Sequence, residues 1–141
     1  MEKLKCILLV DDDPAVLFLN KAIIQRAQAA ERVLAAANGR EALALLHQSC
    51  GALGQGDPPC PQLILLDISM PVMNGYEFLA EFGRLGLSPA PEVALLTTSQ
   101  NPRDRERASS LGVTEYLAKP LSRESLEKLL ARKFGGHQPS A

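Results

Sequence analysis

Cysteine and histidine are scarce in this chain, three and two among 141 residues, and their scarcity excludes much chemistry. Cys6, Cys50 and Cys60 are an odd set without CxxC spacing or a neighbouring histidine cluster, so neither zinc nor a disulfide framework is expected. In a reducing compartment they read as reduced, structural thiols. No apolar run reaches the length of a membrane span, and aspartates rather than a small-residue cleavage site stop the run behind "MEKLKC". A cytoplasmic protein without membrane attachment is the expectation. The net charge of -1, with signs interspersed, leaves no basic footprint for nucleic acid. What remains is a chain of one-domain length, able to bury a core without staples.

Apolar runs of strand length recur at 6–10, 32–36, 63–66, 93–96 and 115–118. Helical patterns separate them. The first covers 14–28 with Val16, Leu17, Leu19, Ile23 and Ile24, and the second 39–48 with Ala42, Leu43, Leu45 and Leu46. The others cover 75–85, 102–111 and 122–134. Strands alternating with helices pair in parallel through right-handed crossovers, and continuous apolar runs suit strands covered on both faces. The fold class is therefore α/β, a doubly wound parallel sheet of five strands. Local chemistry marks the helix starts: Asn38 with Glu41 in capping-box spacing, Pro14 at a first helical position, and "NPRD" with Asn101 as cap. The Gly- and Pro-rich segment 49–61 reads as a long, mobile surface loop.

In open α/β sheets ligands bind beyond the carboxyl ends of the strands. Asp11, Asp12 and Asp13 follow the first strand, Asp67 the third, Thr97, Thr98 and Ser99 the fourth, and Lys119 and Pro120 the fifth. No histidine or cysteine joins them. Two unit charges about 4 Å apart repel by roughly 4 kcal/mol at an effective dielectric of 20, so the aspartate run needs a compensating partner. Hard oxygen donors of this kind suit Mg²⁺. A carboxylate can also act as nucleophile toward phosphorus, and phosphoryl transfer needs little beyond alignment and neutralisation of oxygen charge. Asp13, directly before Pro14, has a separate use as helix N-cap.

The motifs "LLVDDDP", "LILLDISMPVMNGYEFL", "VALLTTS" and "EYLAKPLS", in this order and each at a strand end, resemble those of the response-regulator receiver domains of two-component signalling. The resemblance covers residues 4–134, leaves 135–141 as a short C-terminal tail, and implies a stand-alone receiver without an output domain. It implies the flavodoxin-like (βα)5 fold with strand order 2-1-3-4-5. Asp67 would be the phosphoacceptor, taking phosphate from a phosphohistidine of a sensor histidine kinase or a phosphotransfer protein. Asp12 and Asp67 would bind Mg²⁺ directly, Asp11 through water, and Ser69 through its backbone carbonyl. Thr97 would reach the phosphoryl group, Lys119 would pair with the phosphorylated carboxylate across a Lys119–Pro120 bond that is usually cis in this family, and Tyr116 would occupy the aromatic switch position. Ser69 and Ser99 would tune dephosphorylation. The activity implied is self-phosphorylation with slow autodephosphorylation rather than turnover of a substrate. A downstream protein would be met through the fourth helix, fifth strand and fifth helix, by a monomer or a phosphorylation-promoted dimer.

Each residue also has a plainer reading. Thr97 could simply close a strand, and Thr98 offers a register one residue away that would reverse the face. Thr97 is preferred because it follows the apolar run directly. Tyr116 could be a core aromatic, and Arg103, Arg105 and Arg107 a solvated helix face. Two other function classes compete. A haloacid-dehalogenase-type phosphatase needs a D-x-D pair, which Asp11 and Asp13 provide; a pseudo-receiver would keep the fold and signal by contact without phosphate.

Overall fold

The structure is a computed structural model that describes residues 3–50, 59–68, 73–87, 90–98 and 101–135. Five strands, β1 (Leu4–Val10), β2 (Ala30–Ala36), β3 (Leu63–Leu66), β4 (Glu92–Thr97) and β5 (Glu115–Ala118), form one parallel sheet in the order β2-β1-β3-β4-β5. The helices α1 (Pro14–Arg26), α2 (Gly39–Ser49), α3 (Gly75–Arg84), α4 (Pro102–Ser110) and α5 (Arg123–Phe134) connect and cover it. The expected fold class and strand order are both present.

The continuous apolar strands are covered on both sides, as that pattern requires. Ile7, Leu9, Leu63, Leu65 and Leu96 point to one side and pack with Ile24 of α1 and Leu126, Leu129 and Leu130 of α5. Leu8, Val10, Ile64, Leu66 and Leu95 point to the other, against Leu46 of α2, Phe78 and Leu79 of α3 and Ala108 of α4. The period-2 alternation of side chains divides each strand between two cores. Their common register brings the carboxyl ends of β1, β3, β4 and β5 to one edge.

The cap chemistry is close to that expected. Asp13 accepts from the Ala15 N–H at 2.9 Å, Asn38 from the Glu41 N–H at 2.9 Å and Asn101 from the Arg103 N–H at 3.0 Å. Glu41 accepts from the Ala37 N–H instead of closing a full capping box. Asn74 and Glu77 make that reciprocal pair at the start of α3.

Four expectations need correction. The first helix ends at Arg26 rather than 28, because Gln28 adopts a left-handed φ of 53° and the Ala29 N–H turns back to the Ile24 carbonyl. Ser122 caps the last helix, accepting from the Ser125 N–H, rather than opening it. Leu19, one of the apolar residues that define the first helical pattern, is 58% exposed; five residues from buried Ile24, it is turned about 140° away. The expectation of reduced thiols holds only for Cys6, which is free and buried, whereas Cys50 and Cys60 form a disulfide with a Cα separation of 4.7 Å. Cys50 caps the end of α2 and Cys60 stands just before β3, so the return of the chain to the sheet brings together two residues whose spacing carries no pairing signal. Residues 51–58 of the expected mobile loop lie outside the described residues.

Candidate functional site

β1 is buried from Cys6 to Val10 and delivers Asp11 to the carboxyl edge of the sheet, where Asp11 is 4% exposed. β3 delivers Asp67 beside it, 8% exposed, with the Asp67 N–H donating to the Val10 carbonyl at 2.9 Å. Asp12 stands exposed at the mouth. One carboxylate oxygen from each of Asp11, Asp12 and Asp67 lies within 4.8 Å of the others, and this is the cluster of metal-ligating type found among the described residues.

Lys119 enters from the end of β5. Its Nζ lies 2.9 Å from Asp11 Oδ2 and 3.3 Å from Asp67 Oδ1. Burial pulls the pKa of this ammonium down, but the hydrogen bond to Asp11 and the attraction of Asp67 and Asp11 outweigh burial and leave it raised. The Lys119 N–H donates to the Thr97 carbonyl at 3.0 Å, and the Lys119–Pro120 bond is cis, as expected. Thr97 ends β4 half-buried beside this segment, paired in register with Ala118, whereas Thr98 is exposed.

The aspartate run divides as its neighbours dictate. Asp11 also accepts the Asp13 N–H at 3.0 Å, and Asp13 is committed to capping α1. That commitment takes from the phosphatase alternative the second carboxylate of its D-x-D pair. One ammonium against three carboxylates leaves negative charge for a hard cation, and an all-oxygen donor set near a lysine fits Mg²⁺ by chemistry.

The structure thus brings together Asp11, Asp12, Asp67 and Lys119, with Thr97 at the same edge. Ser69 and Ser99 lie outside the described residues. Tyr116 lies earlier in β5, three residues before Lys119, half-buried, its hydroxyl 3.0 Å from each of the Arg105 and Val113 carbonyls, which share its one proton.

The family model described as the response regulator receiver domain matches residues 7–131. The chain belongs to that family. Receiver domains are phosphoacceptor signalling domains of two-component systems, and the acidic cluster here is consistent with their Mg²⁺ site. This receiver is 33% identical over 129 residues to response regulator Rcp1 of Synechocystis, covering 89% of this chain and 84% of the relative. A two-component response regulator from Cytophaga hutchinsonii superposes with a TM-score of 0.80 at 32% identity, over 93% of this chain and 97% of that one. The receiver domain of a Pseudomonas aeruginosa PAO1 sensor histidine kinase, solved with a magnesium ion coordinated in the active site cleft, superposes with a TM-score of 0.75 at 28% identity, over 94% and 98%.

Two supporting residues escaped sequence reasoning. A Cβ on Gly75 would stand 2.8 Å from the Ile68 Cα and 3.0 Å from the Asp67 carbonyl oxygen. The Gly75 N–H donates to the Ile68 carbonyl, so the start of α3 presses directly on the segment that carries Asp67. Its signal, the "NG" before an apolar helix, was visible but reads equally as a simple turn. Tyr76, the next residue, donates to Asp104 Oδ1 of α4 at 3.0 Å, and no local spacing announces that contact.

Proposed function

We propose that Asp67 is the phosphoacceptor of this receiver domain. The observation that carries the reading is a nearly buried Asp67 at the carboxyl edge of the sheet, clustered with the Asp11 and Asp12 carboxylates and sharing the Lys119 ammonium with Asp11. An Asp67 carboxylate oxygen attacks phosphorus of a phosphohistidine, the P–N bond breaks, and its electron pair leaves on the imidazole nitrogen, which takes up a proton. Lys119 pairs with the acyl phosphate as the carboxylate loses its own charge, and the Thr97 hydroxyl donates to a phosphoryl oxygen. Asp11, Asp12 and Asp67 would hold Mg²⁺ with their carboxylates, and the Ser69 carbonyl, outside the described residues, would be the further donor that the family implies. The ion, when bound, neutralises charge on the transferring oxygens.

Added phosphate brings charge and strong acceptors to this edge. Thr97 turns toward them, Tyr116 leaves its carbonyl partners for the space vacated, and the surface of α4, β5 and α5 changes for a protein partner in the cytoplasm. The phosphodonor is a sensor histidine kinase or a phosphotransfer protein. The switch biases an equilibrium between two arrangements rather than creating one.

Labelling by acetyl phosphate tests the reading. The native chain should become phosphorylated in a Mg²⁺-dependent manner, and Asp67→Ala should abolish labelling while the protein remains folded by circular dichroism. Labelling of folded Asp67→Ala at the native level would overturn the assignment.

A further inference from the structure

The helix α4 is weakly rooted. It is strongly polar, "PRDRERASS", and Ala108 is its one buried residue. A helix with so little apolar area against the core belongs to the low-stability part of a fold. Among the described residues, the chain's two tyrosines both add holds on it. The Tyr76 hydroxyl, from the first turn of α3, donates to Asp104 Oδ1 at 3.0 Å, and the Arg107 guanidinium lies 4.0 Å from the centre of the same ring. The Tyr116 hydroxyl, from β5, donates to the carbonyl of Arg105, and the Arg105 guanidinium lies 4.9 Å from its ring centre. Adjacent residues of α4 are thus gripped by side chains of two different elements, α3 and β5, on the same face of the sheet, and each ring is covered by an arginine of the helix it grips.

We propose that Tyr76 is a positioning residue of the switch: its hydroxyl on Asp104 latches α4 in the arrangement in which Tyr116 rests on the Arg105 carbonyl. This inference rests on the receiver reading above. For Tyr116 to leave, the backbone at Arg105 must lose that donor, and α4 must accommodate the loss. The Tyr76 latch, one residue away on the same turn, opposes any shift of that turn. It therefore sets how readily the arrangement coupled to an occupied phosphoryl site forms, since a ligand shifts such an equilibrium only against the free energy separating the two arrangements.

Tyr76→Phe removes the hydroxyl and keeps the ring under Arg107. Calorimetric titration of the native chain and this variant with beryllofluoride, a phosphoryl analogue, in saturating Mg²⁺ tests the latch. The variant should bind about 2- to 10-fold more tightly, the factor that one hydrogen bond of ordinary net strength supplies. In an Asp104→Ala background the same change should add nothing. A merely structural Tyr76 would lower the melting temperature and leave the affinity unchanged. Unchanged or weaker binding by Tyr76→Phe, or a full further effect in Asp104→Ala, would overturn the latch alone. Absence of beryllofluoride binding by the native chain would overturn the receiver reading itself, and the latch's coupling with it.

Discussion

Three neighbouring aspartates do three different jobs here. Asp11 is buried and ties together Lys119 and the Asp13 N–H, Asp12 is exposed at the mouth, and Asp13 caps α1. Asp12→Asn should weaken Mg²⁺ binding strongly, whereas Asp13→Asn, an equally good cap, should leave both metal affinity and melting temperature nearly unchanged. Titration of Mg²⁺ against each variant checks the division, and equal losses in the two would contradict it. Gly75 makes a sharper demand. Alanine there would press on the backbone of Ile68 and Asp67, which cannot swing aside as a flexible side chain can. Gly75→Ala should destabilise by about 1–3 kcal/mol, the usual range for overpacking. Because the displaced backbone carries Asp67, it should also slow acetyl phosphate labelling; a loss of stability with normal labelling would separate the two effects. At this scale the sequence was legible wherever one residue's role is local: Asp13 before Pro14, or an aspartate at the end of an apolar strand. Contacts that cross the fold were not, since nothing near Tyr76 in the chain points to Asp104, 28 residues away.

Elements were the most legible level, because each strand is a short apolar run and the helices carry polar caps. β3 and β5 occupy the expected residues. The end of the first helix carries no glycine signal, because glutamine, not glycine, takes the left-handed conformation there. Leu19 misled because an apolar residue within a helical pattern need not lie on the buried stripe, and the neighbouring Phe18, at 70% exposure, lies off it as well. The disulfide was unreadable for another reason: it depends on how α2 and β3 approach each other. The bond spans ten positions, a loop for which chain-entropy arguments give about 2–3 kcal/mol. Cys60→Ser should therefore lower stability to chemical denaturation by up to that amount under oxidising conditions and by nothing under dithiothreitol. An equal loss in both conditions would assign the effect to packing around the sulfur instead. Cys6 should stay unmodified by alkylating agents in the native protein, as burial pushes its thiol pKa up to about 11 and keeps it protonated.

The whole molecule explains why a site can be built from residues so far apart in sequence. A parallel sheet aims all its carboxyl ends the same way, so Asp11, Asp67, Thr97 and Lys119 arrive at one edge from four strands. The two cores that flank the sheet keep the strands in register and leave the loops beyond them to chemistry. On the face opposite α1 and α5, α4 is the least embedded helix, which suits an element that changes position when charge is added at the edge. Membership of the receiver family and the fold are established by the match over residues 7–131 and by the superpositions; the role of Asp67 is the claim that everything else serves. The measurement that tests it most directly is site mapping of the phosphorylated protein. After Mg²⁺-dependent phosphorylation, reduction with borohydride converts an aspartyl phosphate to homoserine, and peptide mass spectrometry then locates it. Homoserine is expected at position 67 and at neither 11 nor 12. Homoserine at either of those positions, with Asp67 intact, would contradict it.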